Sequence, residues 1–163
     1  MNSQQLKSPS LKVTKWLNSD DDITLENLQG NVIAIYAFQM LCPSCVENSI
    51  PQAKKVHAIF QQHNVTVLGL HTVFEHHEAM SEVALKAFIH EYQITFPIGI
   101  DLPSNNISDK PIPQTMDAYQ MRGTPTLLLF DKQGLLRKHK LGHEDDLILG
   151  AELMNLIQQP IPK

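Results

Sequence analysis

The sequence has no excess of positive charge: 13 lysines and arginines stand against 17 aspartates and glutamates, for a formal net charge of -4. No basic field exists to attract phosphate backbones or anionic lipid, which excludes nucleic acid as a partner. No apolar run approaches the roughly 20 residues that span a bilayer, so membrane insertion is not expected. The opening MNSQQLKSPSLKV lacks the apolar stretch of a secretory signal, so the chain as it stands reads as cytoplasmic, or as periplasmic if a leader has been trimmed. Cysteine is scarce, with two residues, too few for a disulfide framework. Disorder is excluded as well, because 42% of the 163 residues are hydrophobic and 18% charged, with a mean hydropathy of -0.17. That length suits one domain with a full core.

What is present is organised. Residues 1–10 are polar and expected to fray, and LKVTKWL (11–17) is a short candidate strand. NVIAIYAF (31–38) is a nearly continuous apolar run that reads as a strand buried on both faces, and VTVLGL (65–70) is a second. Between them Val46, Ile50, Ala53, Val56 and Phe60 mark a helix, with Pro51 placed to kink it. Residues 71–118 are less regular: a His- and Glu-rich loop, a helix over about Met80 to Tyr92, an FPIGI strand and a short helix from Gln114 to Tyr119. A hairpin follows, TLLLF (126–130) and LLRKHKL (135–141), then a helix from about Asp145 to Gln158. Parallel strands joined by a helix, an antiparallel hairpin and a closing helix predict a single α/β domain over 11–160, a three-layer sandwich around a mixed sheet.

Both cysteines lie in Cys42-Pro43-Ser44-Cys45, at the corner where a buried strand becomes a helix. A thiol attacks a disulfide as thiolate, and unpaired N–H groups at a helix start stabilise that charge. Cys45, one turn further in, is placed to resolve a mixed disulfide. Two other readings compete. Cys42-x2-Cys45-x11-His57-x5-His63 is close to zinc-finger spacing, although a finger sets its cysteines on a hairpin. The cysteines could also be small buried hydrophobes.

Two motifs resemble the thioredoxin superfamily: the strand, Cys42-Pro43-Ser44-Cys45 and a proline-bearing helix, and the stretch Tyr119 to Phe130, YQMRGTPTLLLF, which is similar to the segment holding the cis-proline of thioredoxins. The segment 71–118 looks like the insertion of TlpA/ResA-like thiol-disulfide reductases and of the redoxin, AhpC/TSA-related, branch. The resemblance implies a thioredoxin-like sandwich with that insertion before a cis Thr124-Pro125, which would face the dithiol and guide the substrate chain. It implies Cys42 as attacking and Cys45 as resolving thiol, no cofactor, a disulfide-containing protein or small molecule as substrate, and a reductase as electron donor.

The departures bear on proton handling. Tyr36 stands where thioredoxins carry a buried aspartate, Leu41 replaces the usual tryptophan, and Asn48 takes the position where TlpA-like proteins often have glutamate, with Glu47 beside it. Pro51 is one residue later than in thioredoxin, which would suit a local bulge. Leu41-Cys42-Pro43-Ser44 also looks like the peroxidatic segment of peroxiredoxins, yet Gln39 and Ile35 replace the threonine and proline that their peroxide chemistry uses, so disulfide exchange is favoured over peroxide reduction. A redox-sensing binding module without turnover is the alternative of another class.

His71 ends the second strand, beside the one that delivers Cys42, so it and Glu47 are candidates for tuning the thiol pKa. His71, Glu75, His76 and His77 have metal-ligand side chains, but a solvated loop is the simpler reading and no metal is expected. Asp20-Asp21-Asp22 and Glu144-Asp145-Asp146 read as a solvated turn and a helix start, and Trp16 and Phe38 as core or rim aromatics.

Overall fold

The computed structural model describes residues 7–108 and 110–161. Their strands form one six-stranded mixed sheet in the order β1-β4-β3-β2-β5-β6. Strand β2 (Val32–Phe38) is central because every one of its residues is apolar and buried. It pairs parallel with β3 (Val65–His71) and antiparallel with β5 (Thr126–Phe130). The edges are β1 (Val13–Leu17), antiparallel to β4 (Ile98–Asp101), and β6 (Leu136–Leu141), antiparallel to β5.

Alternation along β2 makes two cores. Val32, Ala34, Tyr36 and Phe38 face helices α1 (Ile50–Phe60), α2 (Glu82–Glu91) and α4 (Asp146–Gln158) through Ala53, Leu85 and Leu153. Ile33, Ile35 and Ala37 face the other way, against Leu25 and the residues in and after α3 (Gln114–Ala118), Met116, Tyr119 and Met121. Helices and turns on both faces of one mixed sheet make the expected three-layer sandwich.

Local expectations are refined at three places. Pro51 sits in the first turn of α1, at its join with the helical turn before it, where its missing N–H interrupts the regular ladder. The extra residue before it is absorbed by a wide π-type turn over Cys45–Ser49, closed by the Ile50 N–H on the Cys45 carbonyl. The helix expected from Met80 begins at Glu82, because the Ser81 hydroxyl accepts the Ala84 N–H at 3.2 Å and caps it, leaving His77–Met80 as a separate 3₁₀ turn. Of the polar N-terminus, residues 1–6 lie outside the described residues, whereas Ser8 donates to the Gly134 carbonyl at 2.9 Å and the Pro9 carbonyl accepts the Tyr119 hydroxyl.

The segment between β3 and β5 is not a loop laid over the sheet. It supplies β4, which pairs in parallel with β3 through Gly69, Leu70 and His71. Gly69 permits this join, since a Cβ there would run into the Ile98 side chain.

Candidate active site

After Phe38 the chain turns through Gln39 and Met40, both buried, and exposes Leu41. Cys42 follows at the helix start: its N–H donates to the Gln39 carbonyl at 3.2 Å and its own carbonyl accepts the Val46 N–H at 3.1 Å. Cys42 and Cys45 are joined as a disulfide, with Cα atoms 5.2 Å apart. The Cys45 N–H points at the Cys42 sulfur, 3.3 Å away. The two sulfurs differ in access, because Cys42 is partly exposed while Cys45 is fully buried.

Antiparallel pairing of β2 with β5 sets Ala37 beside Thr126, and so brings residues 123–125 over the dithiol. The Thr124–Pro125 bond is cis, and the Thr124 carbonyl oxygen lies 3.5 Å from the Cys42 sulfur. The loop is fixed on both sides: the Thr126 hydroxyl donates to the Gly123 carbonyl at 2.7 Å, and the Gly142 N–H to the Pro125 carbonyl at 2.8 Å.

The two candidates for tuning the thiol fall in unlike places. Glu47 is exposed on the π-type turn and makes no side-chain hydrogen bond among the described residues. His71 is 2% exposed, level with Phe38 in the strand pairing and 5.2 Å from its ring. Burial lowers its pKa from 6.5 to about 4, so the imidazole is neutral at pH 7 and brings no positive charge to a thiolate. The zinc-finger spacing does not come together. Cys45 and His57 lie along one continuous helical segment, about 18 Å apart by helical rise, and the cysteines are joined to each other. Among the described residues no three metal-ligand side chains converge.

Two glutamines hold the site: Gln39, met in the sequence only as the replacement for a threonine, and Gln52, which the sequence reading passed over. Gln39 is 1% exposed; its side-chain oxygen Oε1 accepts the Phe74 N–H at 3.2 Å, and its side-chain NH₂ lies 3.5 Å from the Glu75 carboxylate, which ties the turn before Cys42 to the loop after β3. Gln52 on α1 accepts from the buried Tyr36 hydroxyl at 3.4 Å and donates to the Glu144 carbonyl and the Asp146 carboxylate, both at 2.7 Å. Burial raises the Tyr36 pKa, with the Asp146 charge adding to the effect, so the phenol stays protonated. A tyrosine within an apolar strand signals a buried hydroxyl that needs a partner, and a glutamine on the inner face of the next helix answers it. The acidic cluster before α4 also departs from its solvated reading. Asp145 caps the helix through the N–H groups of Leu147 and Ile148, but Glu144 is 8% exposed and paired with Lys138.

A family model described as AhpC/TSA matches residues 5–139. The chain belongs to the AhpC/TSA family. It is 25% identical over 139 residues to the thiol-disulfide oxidoreductase ResA of Halalkalibacterium halodurans, spanning 85% of this chain and 69% of that one. Of a second ResA, from Bacillus cereus, the match spans 61%. Among solved structures it is similar to a thioredoxin-like superfamily protein, with 55% identity and a TM-score of 0.89 over 96% of this chain and 99% of the other. A thiol-disulfide isomerase from Corynebacterium glutamicum is 41% identical, with a TM-score of 0.87 over 94% and 98%. The fold is thioredoxin-like, as the two motifs implied. With Cys42 and Cys45 joined across a Cys-x-x-Cys, this AhpC/TSA family member is a thiol-disulfide oxidoreductase whose redox couple is its own dithiol. No helix among the described residues is long and apolar enough to cross a membrane.

Proposed function

We propose that the chain reduces disulfides, with Cys42 as the attacking thiol and Cys45 as the resolving one. The difference in access between the two sulfurs carries this reading. The Cys42 thiolate attacks one sulfur of a substrate disulfide, giving a mixed disulfide and releasing the other sulfur as a thiolate. Cys45 then loses its proton and attacks the Cys42 sulfur, which closes the internal disulfide and frees the substrate as a dithiol. Two electrons leave the enzyme in each cycle, so a dithiol reductase must return them. Thr124, whose carbonyl stands 3.5 Å from the Cys42 sulfur, and Pro125 guide the substrate chain past the attacking atom.

Thiolate stabilisation falls mainly to the Cys45 N–H and the helix start. His71 is left as a neutral imidazole behind the site, and Glu47 as an exposed charge that modulates the field. In a reducing cytoplasm the dithiol form would prevail, whereas in a periplasm the chain would need electrons delivered to it. Peroxide reduction is less well supported. Gln39, in the position of the peroxide-orienting threonine, has its amide engaged with Phe74 and Glu75, and Ile35 faces the opposite core.

Trapping in a cell lysate tests the roles. Cys45→Ser accumulates a stable mixed disulfide through Cys42, and Cys42→Ser traps almost nothing. Equal trapping by both variants, or faster iodoacetamide alkylation of Cys45 in the reduced protein, would reverse the assignment. Absence of disulfide turnover by the wild type would favour a sensing module instead.

A further inference from the structure

The chain has two arginines. Arg137 is paired with Asp131 at 2.9 Å, whereas Arg122 is exposed and has no ion pair or side-chain hydrogen bond among the described residues. A free guanidinium on a surface is ordinary, but its place here is not. Arg122 stands two residues before Thr124, whose carbonyl faces the Cys42 sulfur at 3.5 Å. The backbone is held on either side of it: the buried Met121 donates its N–H to the Met116 carbonyl at 3.0 Å, and the Gly123 carbonyl accepts the Thr126 hydroxyl at 2.7 Å. A chain advances at most about 3.6 Å per residue, so the Arg122 Cα lies within about 7 Å of that of Thr124. The long side chain therefore sweeps the surface over which the neighbours of a substrate cysteine must pass.

The acids around this loop are engaged. The Gly142 N–H on the Pro125 carbonyl brings the end of β6 beside it. There Glu144 is paired with Lys138, Asp145 caps α4, and Asp146 is held by Gln52 and Lys55. Lys140, on the same strand, is a second cation. On the helix side of the dithiol the exposed charge is Glu47, which has no partner among the described residues. One wall of the site thus offers a free cation and the other a free anion. A guanidinium presents its N–H groups as a fork that matches a carboxylate.

We propose that Arg122 is a specificity-determining residue, which favours polypeptide substrates carrying an aspartate or glutamate within two residues of the attacked cysteine. Its role rests on the reading of Cys42 as the attacking thiol. The ion pair forms as the substrate arrives, and the disulfide exchange itself stays with Cys42. A polypeptide is the occupant because the span from the sulfur to Arg122 is that between neighbouring residues, and because the loop that carries Arg122 is the one that guides a chain.

The rate of mixed-disulfide formation by the reduced Cys45→Ser protein tests it. The probes are blocked pentapeptide disulfides with cysteine at the centre that carry glutamate, glutamine or lysine two residues away, on either side. Each rate is referred to that of the same peptide with 2-mercaptoethanol, which removes the intrinsic effect of the charge on the disulfide. On at least one side the glutamate peptide is expected to react about two- to fivefold faster than the glutamine peptide, with the lysine peptide slowest. Arg122→Gln in the same background removes the preference for glutamate, Arg122→Glu reverses it, and high salt shrinks it. Any change in the reactivity of Cys42 on losing the cation alters all the rates by one factor and cancels in their ratios. Equal rates for the three peptides, or a glutamate preference that survives Arg122→Gln, overturn the role of Arg122 and leave the reductase reading intact. No mixed disulfide with any peptide overturns the reductase reading and the role of Arg122 with it.

Discussion

Two buried polar places lie on one face of the sheet, and they are finished differently. Beneath the helix that carries the dithiol, Tyr36, Gln52, Glu144 and Asp146 form a closed set in which both ends of the Gln52 amide are used. It joins β2, α1 and the start of α4. Beside it, His71 is buried against Phe38, and one imidazole nitrogen is left without a partner. The closed set fastens elements together and leaves nothing for a ligand to add. The second place keeps a buried acceptor with no donor, which costs stability instead of adding to it.

Mutations that spoil one place and spare the other break or sharpen this contrast. The largest effect is expected for Gln52→Ala, which strands the Tyr36 hydroxyl and the Glu144 carbonyl and frees a helix-start carboxylate. A loss of about 2–4 kcal/mol in denaturant unfolding is expected. Tyr36→Phe removes only the long 3.4 Å bond, and should cost about 1 kcal/mol. If both changes were silent, the network would not be the fastening described.

His71→Leu should behave in the opposite way, staying within about 1 kcal/mol of wild type at neutral pH, because it deletes an unpaired group rather than a partner. Its signature is in acid. The folded imidazole titrates at about 4 against an ordinary 6.5, so the unfolded chain takes up the proton first as pH falls. Stability therefore falls from about pH 6.5 down to about pH 4 and levels off below, a contribution of about 3–3.5 kcal/mol at most. The raised pKa of Asp101 acts with opposite sign, since its folded carboxyl is protonated before the unfolded one. The difference between wild type and His71→Leu across that window isolates the histidine. Parallel stability curves for the two proteins would refute its buried, neutral state.

The smallest effect belongs to Glu47→Gln. An exposed charge near the helix start is screened, so the Cys42 thiolate, followed by its ultraviolet absorbance, should titrate only a few tenths of a unit lower. A shift of a full unit would place Glu47 much closer to the sulfur than its exposure implies.

The sequence by itself determined what depends on neighbours along the chain. Seven apolar residues in a row made β2 a central strand, Cys42 to Cys45 spanned a strand-to-helix corner, and the turn between β5 and β6 closed a hairpin. Asp145 could be read as part of a helix start, since a cap and the N–H groups it holds lie within three residues. Even the displaced Pro51 announced a bulge, because one inserted residue in a helix has few ways to be absorbed. Only the tertiary structure decided what depends on residues far apart. The Thr124 carbonyl is 82 residues from the sulfur it faces, Gln52 meets Asp146 across 94, and Gln39 reaches Phe74 across 35. His71 was a candidate for tuning the thiol in one dimension and became a buried, neutral side chain in three. The physical reason is that hydrogen-bond geometry and desolvation belong to the packed neighbourhood of a group, and the order of residues along the chain does not reveal that neighbourhood until the sheet has assembled.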